Sequence, residues 1–224
     1  METKQKSRAK SRTNGSAEKI VSAYREYLLT EGKKPVSVFK FCKEIGIKED
    51  SFYTHFGSFE VLEKSIWTEY IDKTRRKLEE DGNYQQFSAR EKILTFYFTL
   101  AETFKTDRSF VVYQIKEWKN PSLIPVFLKG FKASFDEWIN GVLEEGKNSG
   151  EIAKRPYLDQ TYDALFWMHL VFILQFWLHD ESANFEKTDA AIEKSVNLAF
   201  DLMGKGVLEN ALDFGKFLYQ NSKN

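Results

Sequence analysis

The chain has 224 residues, of which 42% are hydrophobic and 16% aromatic, and its 33 basic and 33 acidic side chains give a formal charge of zero. This size and apolar content are sufficient to bury a core and exclude a low-complexity or disordered chain. The single cysteine, Cys42, excludes an intrachain disulfide and a metal site built from several cysteines. Alternating strand patterns are hard to find, so the sequence favours an all-α fold.

The N-terminal segment is basic and contains no long apolar stretch. Its first fifteen residues include a single acid, Glu2, and the basic residues Lys4, Lys6, Arg8, Lys10 and Arg12. We predict a disordered basic arm over residues 1–15, either a solvated tail or an electrostatic contact for nucleic acid. Because a secretory signal needs an apolar segment, we expect a cytoplasmic protein. The longest apolar run, residues 164–178, is shorter than the roughly 20 residues needed to cross a bilayer and indicates a buried helix.

The first predicted helix begins near Ser16 and ends at Gly32. Ser16 is a suitable N-cap, and a glycine at the end of a helix can adopt the left-handed conformation that stops it. The apolar positions between them have the spacing i, i+4, i+7 and i+8, which places one stripe on one face: Ile20, Tyr24, Tyr27 and Leu28.

Two short helices follow, separated by Gly46. Ser37 is placed to cap the first, and a second segment is predicted over about 49–55, before Ser58 caps a longer helix. Two short helices joined by a tight glycine-containing turn and braced on either side form a helix-turn-helix. The second helix of such a unit fits the major groove of DNA, which is about 12 Å wide.

The remainder of the chain predicts longer helices after a boundary near residues 81–83. Ser88 and Glu91 form a capping-box pattern that opens a helix through about Phe104. Further helices are predicted over about 109–118, 127–146, 159–180, 192–203 and 208–219 from their apolar spacing.

The N-terminal seventy residues resemble the tetracycline-repressor (TetR) family of bacterial regulators. The resemblance depends on the order and spacing of the 20–32 helix, Phe41-Cys42, Ile45-Gly46-Ile47, Ser51-Phe52-Tyr53 and His55-Phe56, with Ser58, Glu60 and Leu62 after them. It implies a helix-turn-helix domain over residues 16–72 and a helical effector-binding and dimerisation domain over residues 73–224. The implied protein is a homodimer that binds a palindromic double-stranded DNA operator, acts as a repressor, as is most common in this family, and responds to a small-molecule effector.

The resemblance also implies a set of DNA contacts in and around the helix-turn-helix. These are Ser37, Lys40, Lys48, Glu49, Ser51, Tyr53, Thr54, His55 and Lys64, with Tyr53 at the family's phosphate-contacting tyrosine. Phosphate contacts set affinity and salt dependence, whereas base contacts set sequence preference. The chain departs from the family pattern at Phe39 and Phe59, where basic residues are common, and at the acidic pair Glu49-Asp50.

A dimer interface is predicted from the apolar helix 164–178. Because this helix is apolar on all faces, it must be covered all round, and a second copy can supply part of that cover. In a four-helix interface with the 192–203 helix, the predicted centre is Trp167, Val171, Leu174, Leu178, Ile192, Val196, Ala199 and Met203. The other interpretation is that these residues form a large core within one chain.

The aromatic residues of the larger domain predict a site for an apolar or aromatic ligand of little charge. Rigid rings in such number are difficult to pack without voids, and a mostly apolar cavity with a few polar groups is typical of a small-molecule site. The candidate ligand-binding residues are Tyr113, Gln114, Trp118, Trp138, His169 and Gln175. For the polar candidates Tyr113, Gln114, His169 and Gln175, the alternative interpretation is a core or interface residue whose polar group is satisfied.

Catalysis finds no support in the sequence. The three histidines have no metal-ligand spacing, and neither a GxSxG elbow nor a phosphate-binding glycine loop is present. We therefore predict no enzyme activity, no metal and no cofactor. A second hypothesis is a ligand carrier or protein-interaction module that has kept the fold but no longer binds DNA, with Phe39 and Phe59 exposed for a protein partner.

Overall fold

The computed structural model describes residues 2–116, 118, 120, 123–155 and 158–221, apart from the side chains of residues 2–14, 160, 207–212 and 221. Within this part the chain is all-α, as predicted, and contains no strand. The helices are α1 Glu2–Glu31, α2 Val38–Glu44, α3 Glu49–Tyr53, α4 Phe59–Glu79, α5 Ala89–Lys105, α6 Arg108–Ile115, α7 Lys129–Ser149, α8 Tyr162–Leu178, α9 Glu186–Met203 and α10 Val207–Asn221.

The predicted helix signals hold at most boundaries. Ser37 accepts a hydrogen bond from the backbone N–H of Lys40 at 3.2 Å and caps α2. Both halves of the capping box before α5 are formed, since Ser88 N donates to Glu91 at 2.8 Å and Glu91 N donates to Ser88 Oγ at 3.3 Å. Gly32 and Gly46 have φ values of +64° and +69°, in the left-handed region expected of a glycine that ends a helix.

The start of α1 differs from the prediction. The helix begins at Glu2 rather than near Ser16, and it includes the residues for which we predicted a disordered arm. Residues 2–15 contain no proline, and most of them have good helix propensity, so nothing in the local chemistry stops the helix. The basic side chains of this arm lie outside the described residues.

The chain divides into two compact units. Unit 1 comprises Met1–Tyr70 and Thr106–Phe131, and unit 2 comprises Ile71–Lys105 and Lys132–Asn224. The division after residue 70 lies close to the predicted boundary at residue 72, but the segment 106–131 groups with unit 1 rather than with the larger domain. Its helix α6 therefore belongs to the same body as the helix-turn-helix.

Unit 1 has a small aromatic core. The ring of Phe59 lies 5.2 Å from that of Tyr24, 5.6 Å from that of Phe41 and 5.5 Å from that of Phe52, measured between centroids. These four rings come from α1, α2, α3 and α4, so the contacts fix the short helices against their neighbours. Ring pairs in such geometries add about 0.5–1.5 kcal/mol each beyond the burial of their area.

Unit 2 has a larger core centred on α5, α7, α8 and α9. Trp138 stacks on Phe96 with a centroid distance of 3.9 Å, and Phe135 lies against both of these rings. The α9 residues Ile192, Val196 and Phe200 are buried at the spacing i, i+4 and i+8. The apolar stripe predicted for this helix is therefore its core face.

Candidate nucleic-acid interface and ligand cavities

The α2–α3 corner forms a tight turn around Gly46. The backbone N–H of Ile47 donates to the carbonyl of Cys42 at 2.9 Å, which closes the turn between the two helices. The side chain of Phe52 is fully buried and holds α3 against the core, while Lys48 and Tyr53 are exposed. This anchoring turns one face of α3 outward and gives the helix-turn-helix geometry predicted from the sequence.

The residues predicted to contact DNA lie at the surface of unit 1. Lys48, Tyr53 and Thr54 are exposed, and Glu49, Ser51 and His55 are half-buried on or beside α3. Thr54 donates its hydroxyl to the backbone carbonyl of Asp50 at 2.9 Å.

Two predicted lysine contacts already have neighbours within unit 1. Lys40 lies 4.0 Å from the carboxylate of Glu44, one turn along α2. The stem of Lys64 packs against Gly130, where an added Cβ would approach its Cε to 3.0 Å. Both lysines are exposed, so their ammonium groups still face solvent.

Tyr53 is directed toward an acid of its own helix. Its hydroxyl donates to Glu49 Oε1 at 3.3 Å. Loss of hydration and then the nearby Glu49 carboxylate raise the pKa of Tyr53, so the hydroxyl remains a protonated hydrogen-bond donor. The Tyr53 hydroxyl can therefore donate its hydrogen bond to a phosphate oxygen instead of Glu49 without a change in its own charge.

The two phenylalanines that depart from the family pattern have different environments. Phe39 is 62% exposed on α2. Phe59 belongs to the aromatic core of unit 1, so the prediction that it is exposed is wrong. The sequence did not separate the two cases because both residues occupy positions near the start of a helix, where either orientation is possible.

A buried carboxylate that we did not predict connects four parts of unit 1. Glu63 of α4 accepts hydrogen bonds from Tyr24 at 2.8 Å, from Lys34 at 2.7 Å and from Gln114 at 3.2 Å. Burial, followed by the Glu63 charge, raises the pKa of Tyr24 far above its usual value. The only sequence signal for this network is a glutamate between Leu62 and Ile66, on the apolar face of the helix.

Three candidate ligand residues lie in unit 1, and two of these have structural partners. Gln114 donates to Glu63, and the Trp118 Nε1–H donates to the carbonyls of Asn120 and Leu123, both at 2.8 Å. The ring of Tyr113 is half-buried, with the Lys116 ammonium 5.1 Å from its centroid. None of the three lines either of the cavities along α8 that are described below.

The other three candidate ligand-binding residues lie in unit 2 and have different environments. Trp138 is a core residue whose Nε1–H donates to Tyr84 at 3.1 Å. His169 has both ring nitrogens engaged, Nδ1 with the Tyr97 hydroxyl at 3.4 Å and Nε2 with Ser195 Oγ at 2.8 Å. Burial lowers the pKa of His169 to about 4, so the ring is neutral. The ring nitrogens of His169 and the indole N–H of Trp138 therefore have partners within unit 2.

Two of the cavities in the described part of unit 2 are open and lie along α8. The first, of about 260 Å³, is an apolar groove between α8 and α9, which we call the α8/α9 groove, lined by Leu158, Tyr162, Leu165, Phe166, His169, Ala199, Leu202 and Met203. The second, of about 430 Å³, is lined by Phe172, Gln175, Phe176, His179, Asp180, Glu181 and Lys187. Gln175, a predicted ligand residue, lines this second cavity. Its backbone carbonyl accepts a hydrogen bond from His179, whereas its side-chain amide has no hydrogen bond among the described residues.

The predicted centre of the dimer interface is mostly core of a single chain. Trp167, Val171, Leu174, Ile192, Val196 and Met203 are buried in unit 2, and Leu178 and Ala199 are half-buried. The prediction chose the wrong face because α8 is apolar all round, and periodicity cannot then distinguish an inward from an outward stripe. The buried set supports the core interpretation for these residues.

The uncovered apolar face of α8 and α9 lies elsewhere on the same helices. Its members share large aliphatic or aromatic side chains that are roughly half exposed: Leu165, Met168, Phe172, Leu198 and Leu202. We call this set the α8/α9 face. Its spacing of i, i+3 and i+7 on α8 was present in the sequence but was hidden by the equally apolar residues between its members.

A second buried carboxylate, Asp180, closes the turn between α8 and α9. It accepts hydrogen bonds from the N–H and hydroxyl of Ser182, at 2.8 and 2.6 Å, and from those of Thr188, also at 2.8 and 2.6 Å. Burial acts to raise the pKa of Asp180, but these hydrogen bonds outweigh it and hold the pKa well below its usual value. The same turn holds Asn184 and Phe185 at positive φ values of 53° and 63°.

Neither a cluster of metal-ligating side chains nor a membrane-spanning helix is found in the described part of the chain. No group of three metal-ligating side chains comes together there. None of the described helices combines the length and apolarity required to cross a bilayer.

The sequence of residues 92–218 matches the family description "Tetracyclin repressor-like, C-terminal domain". The chain belongs to the tetracycline-repressor (TetR) family. This match lies outside the N-terminal region that carried the resemblance, and it covers more than half of the chain. Proteins of this family are transcriptional regulators and not enzymes, in agreement with the predicted function class. No curated protein matches the chain in sequence.

Solved structures with the same fold include several TetR-family proteins. A protein assigned to the TetR-family transcriptional regulators of Syntrophomonas wolfei str. Goettingen has a TM-score of 0.69 at 15% identity, covering 87% of this chain and 98% of that one. The regulator FadR of Bacillus subtilis, in complex with stearoyl-CoA, has a TM-score of 0.58 at 20% identity, covering 85% and 98%. The fatty acid degradation regulator FadR of Bacillus halodurans has a TM-score of 0.56 at 18% identity, covering 85% and 95%. At these identities the similarity shows the fold alone.

Proposed function

We propose that this TetR-family protein is a homodimeric transcriptional repressor that binds a palindromic operator through α3 and is released by a small apolar or aromatic ligand. The observation that carries the proposal is the α2–Gly46–α3 corner, which anchors Phe52 in the core and turns Lys48 and Tyr53 outward. TetR regulators as a family bind DNA and small-molecule effectors and act as dimers.

The outward face of α3 supports both kinds of DNA contact. Lys48 and the Tyr53 hydroxyl are donors suited to phosphate oxygens, which set affinity. Glu49 can accept a hydrogen bond from the N4 amine of cytosine, and carboxylates at the start of α3 also suit its helix dipole. The basic residues of the arm, 1–15, would add phosphate contacts that carry no sequence information.

The homodimer is supported by the α8/α9 face. Monomeric proteins rarely expose contiguous apolar patches larger than a few hundred Å². A two-fold axis through this face would pair it with itself and would present two copies of α3 to DNA. Half-sites in such complexes lie about one helical turn, roughly 34–36 Å, apart.

The effector is proposed to bind in the cavity lined by Gln175. The rings of Phe172 and Phe176 provide its apolar wall, and the amide of Gln175 can orient one polar group of a ligand. The B. subtilis FadR structure contains stearoyl-CoA, which shows that this fold can hold a molecule with a long apolar chain. Native mass spectrometry of the purified protein would identify a co-purified ligand, and that ligand should release the protein from its operator.

Selection of bound sequences from random DNA by the purified protein tests the DNA-binding proposal. We expect a palindromic site to be enriched at moderate salt. Lys48→Ala should then weaken operator binding by about tenfold and lower the salt slope by about 1, since one phosphate contact is lost. The matched control is Lys77→Ala, an exposed lysine in the last turn of α4, which should leave both quantities unchanged.

The second candidate function is a protein-interaction module that does not bind DNA. The observation that favours it is the exposure of Phe39 together with Val36, two apolar side chains at the start of α2. Recovery of no enriched site in the selection, together with a dimer that is intact, would favour this candidate over the repressor.

A further inference from the structure

The segment 33–43, which leads into α2 and forms most of it, combines exposed apolar side chains with lysines. Phe39 is 62% exposed and Val36 is 79% exposed. The segment contains no acidic residue and four lysines, all of them exposed: Lys33, Lys34, Lys40 and Lys43. Two apolar side chains within an acid-free basic segment suit a partner that is negatively charged and also offers apolar groups.

Two of these lysines are partly compensated within unit 1. Lys34 donates to the buried carboxylate of Glu63 at 2.7 Å, and Lys40 lies 4.0 Å from the carboxylate of Glu44. The lysines of the segment attract a polyanion through its phosphates, and such contacts carry no sequence information. Any sequence preference of this segment must therefore come from its other side chains.

Phe39 lies on the side of α2 that faces α3. It is three residues before Cys42, and residues three apart lie on one face of a helix. Burial and then the Glu49 carboxylate of α3 raise the pKa of the Cys42 thiol, so this thiol is directed toward α3. The Cys42 carbonyl also accepts the N–H of Ile47 in the turn that leads to α3. Phe39 is therefore at the edge of the α2–α3 contact, with most of its ring in solvent.

This edge is next to the outward surface of α3 that carries Lys48 and Tyr53. In a helix-turn-helix the second helix lies in the major groove, and the first helix crosses the DNA backbone at the edge of that groove. A side chain on the α3 side of α2 is thus placed beside base pairs at the edge of the contacted site. Thymine is the base that presents an apolar group in the major groove, its C5-methyl, and aromatic side chains can contact this group.

We propose that Phe39 is a specificity-determining residue of the repressor, and that its ring packs on the C5-methyl group of a thymine in each half of the operator. The ring has no hydrogen-bonding group for the polar edges of guanine, adenine or cytosine, whereas ring and methyl both gain by leaving water. The inference rests on the proposed function and names a base that the repressor selects.

The small apolar area favours DNA over a membrane or a protein as the partner of Phe39. Helices that bind membrane surfaces carry a broad apolar face. In α2 the side chain of Phe41 is fully buried and Val38 is half-buried, which leaves Phe39 as a single exposed ring. Specific protein interfaces bury about 800 Å² per partner, of which Phe39 and Val36 supply only a small part. A single ring matches a single methyl group.

Replacement of thymine by uracil in the selected operator tests the contact, because uracil differs from thymine only in lacking the C5-methyl group. Each symmetry-related pair of thymines is replaced in turn, one in each half-site. We expect one such pair to weaken binding of the wild-type chain by about tenfold, since two buried methyl groups are lost. Full tolerance of uracil at every pair would overturn the proposal.

Phe39→Ala should abolish the preference for thymine over uracil at that pair. It should also weaken binding to the thymine operator by at least about tenfold, because one apolar contact is lost in each subunit. Phe39→Leu, which keeps an apolar side chain, should retain part of the preference. The matched control is Leu123→Ala, at an exposed leucine of unit 1, which should retain all of it. An equal uracil penalty in wild type and Phe39→Ala at every pair would contradict a direct contact.

Salt dependence separates an apolar contact from a contact with phosphate. Because Phe39 is uncharged, Phe39→Ala should weaken operator binding without changing the slope of log K against log salt concentration, in contrast to Lys48→Ala. A lowered slope in Phe39→Ala would show that the variant disturbs phosphate contacts rather than base recognition, and would overturn the proposal.

Failure of this inference is distinguishable from failure of the proposed function. If the selection recovers no palindromic site, the repressor proposal fails and the role of Phe39 fails with it. If a site is recovered and uracil is tolerated throughout, the role of Phe39 fails alone. Binding of the wild-type chain to anionic phosphatidylglycerol vesicles, lost in Phe39→Ala while operator affinity is unchanged, would assign Phe39 to a membrane and would also overturn the proposal.

Discussion

The two units place their aromatic side chains in different ways. In unit 1, α1 to α4 direct Tyr24, Phe41, Phe52 and Phe59 toward one another, and the α3 surface is mostly polar. In unit 2, α8 buries one apolar face and leaves another in solvent. The outward surface of each unit therefore matches its proposed partner. The polar surface of α3 in unit 1 suits DNA, a polyanion, and the exposed apolar face of α8 in unit 2 suits a second copy of the chain.

The largest effect is expected at the α8/α9 face. Phe172→Asp places a charge in the proposed interface and, at about 2 kcal/mol per copy in a two-fold dimer, should raise the dimer Kd by about 1000-fold. Analytical ultracentrifugation over a range of concentrations measures this change. Leu123→Asp, an exposed leucine of unit 1, is the control and should not alter the oligomeric state. An unchanged Kd for Phe172→Asp would show that the uncovered face of unit 2 has another role.

An intermediate effect should distinguish the two phenylalanines of unit 1. Phe59→Ala removes a ring that contacts three others and should lower the free energy of unfolding by about 2–4 kcal/mol. Phe39→Ala changes an exposed side chain and should alter it by less than about 0.5 kcal/mol. Chemical denaturation of both variants provides the measurement. Equal losses would contradict the separation of core from surface in unit 1.

The smallest effect concerns the buried carboxylate of unit 2. Asp180→Ala removes the acceptor of four hydrogen bonds at the start of α9 and should cost about 1–3 kcal/mol at pH 7. Because the pKa of Asp180 is lowered in the folded protein, its contribution is complete above the unfolded-state value of about 3.9 and is lost as pH falls through the folded-state value.

The pH dependence gives this prediction its own test. The difference in unfolding free energy between wild type and Asp180→Ala should shrink when the pH is lowered from 6 toward 2. Glu181→Ala, which changes the exposed neighbour, should show a difference below about 0.5 kcal/mol throughout. If the difference in unfolding free energy between wild type and Asp180→Ala stays constant from pH 6 to 2, the ionised form of Asp180 is not the one that stabilises the fold.

Local signals in the sequence were sufficient to locate most helix boundaries. Ser37, the Ser88–Glu91 pair, Gly32 and Gly46 act through backbone hydrogen bonds and dihedral angles within a few residues, so their effect can be read without the rest of the chain. The helix-turn-helix was predictable for the same reason.

Polar groups on apolar helix faces were less predictable. Glu63 accepts hydrogen bonds from Tyr24, Lys34 and Gln114, which are distant from it in sequence, so no local sequence pattern predicts this network. The candidate ligand residues His169 and Trp138 have hydrogen-bond partners inside unit 2. The sequence could not show this, because a polar atom among aromatic residues is as typical of a satisfied core group as of a ligand site.

The sequence by itself determined the all-α fold, the helix-turn-helix and its outward α3 residues, because these follow from spacing, caps and glycine conformations over short distances. Only the tertiary structure decided which face of α8 is core. Trp167 and Leu165 are both strongly apolar, but Trp167 is buried, with Phe135 and Lys132 of α7 beside its ring, whereas Leu165 is exposed. It also decided that Phe59 contacts the other rings of the aromatic core of unit 1 and that α6 groups with unit 1. The hydrophobic effect favours burial of an apolar side chain, but the arrangement of the other helices decides which apolar side chains are buried and by what.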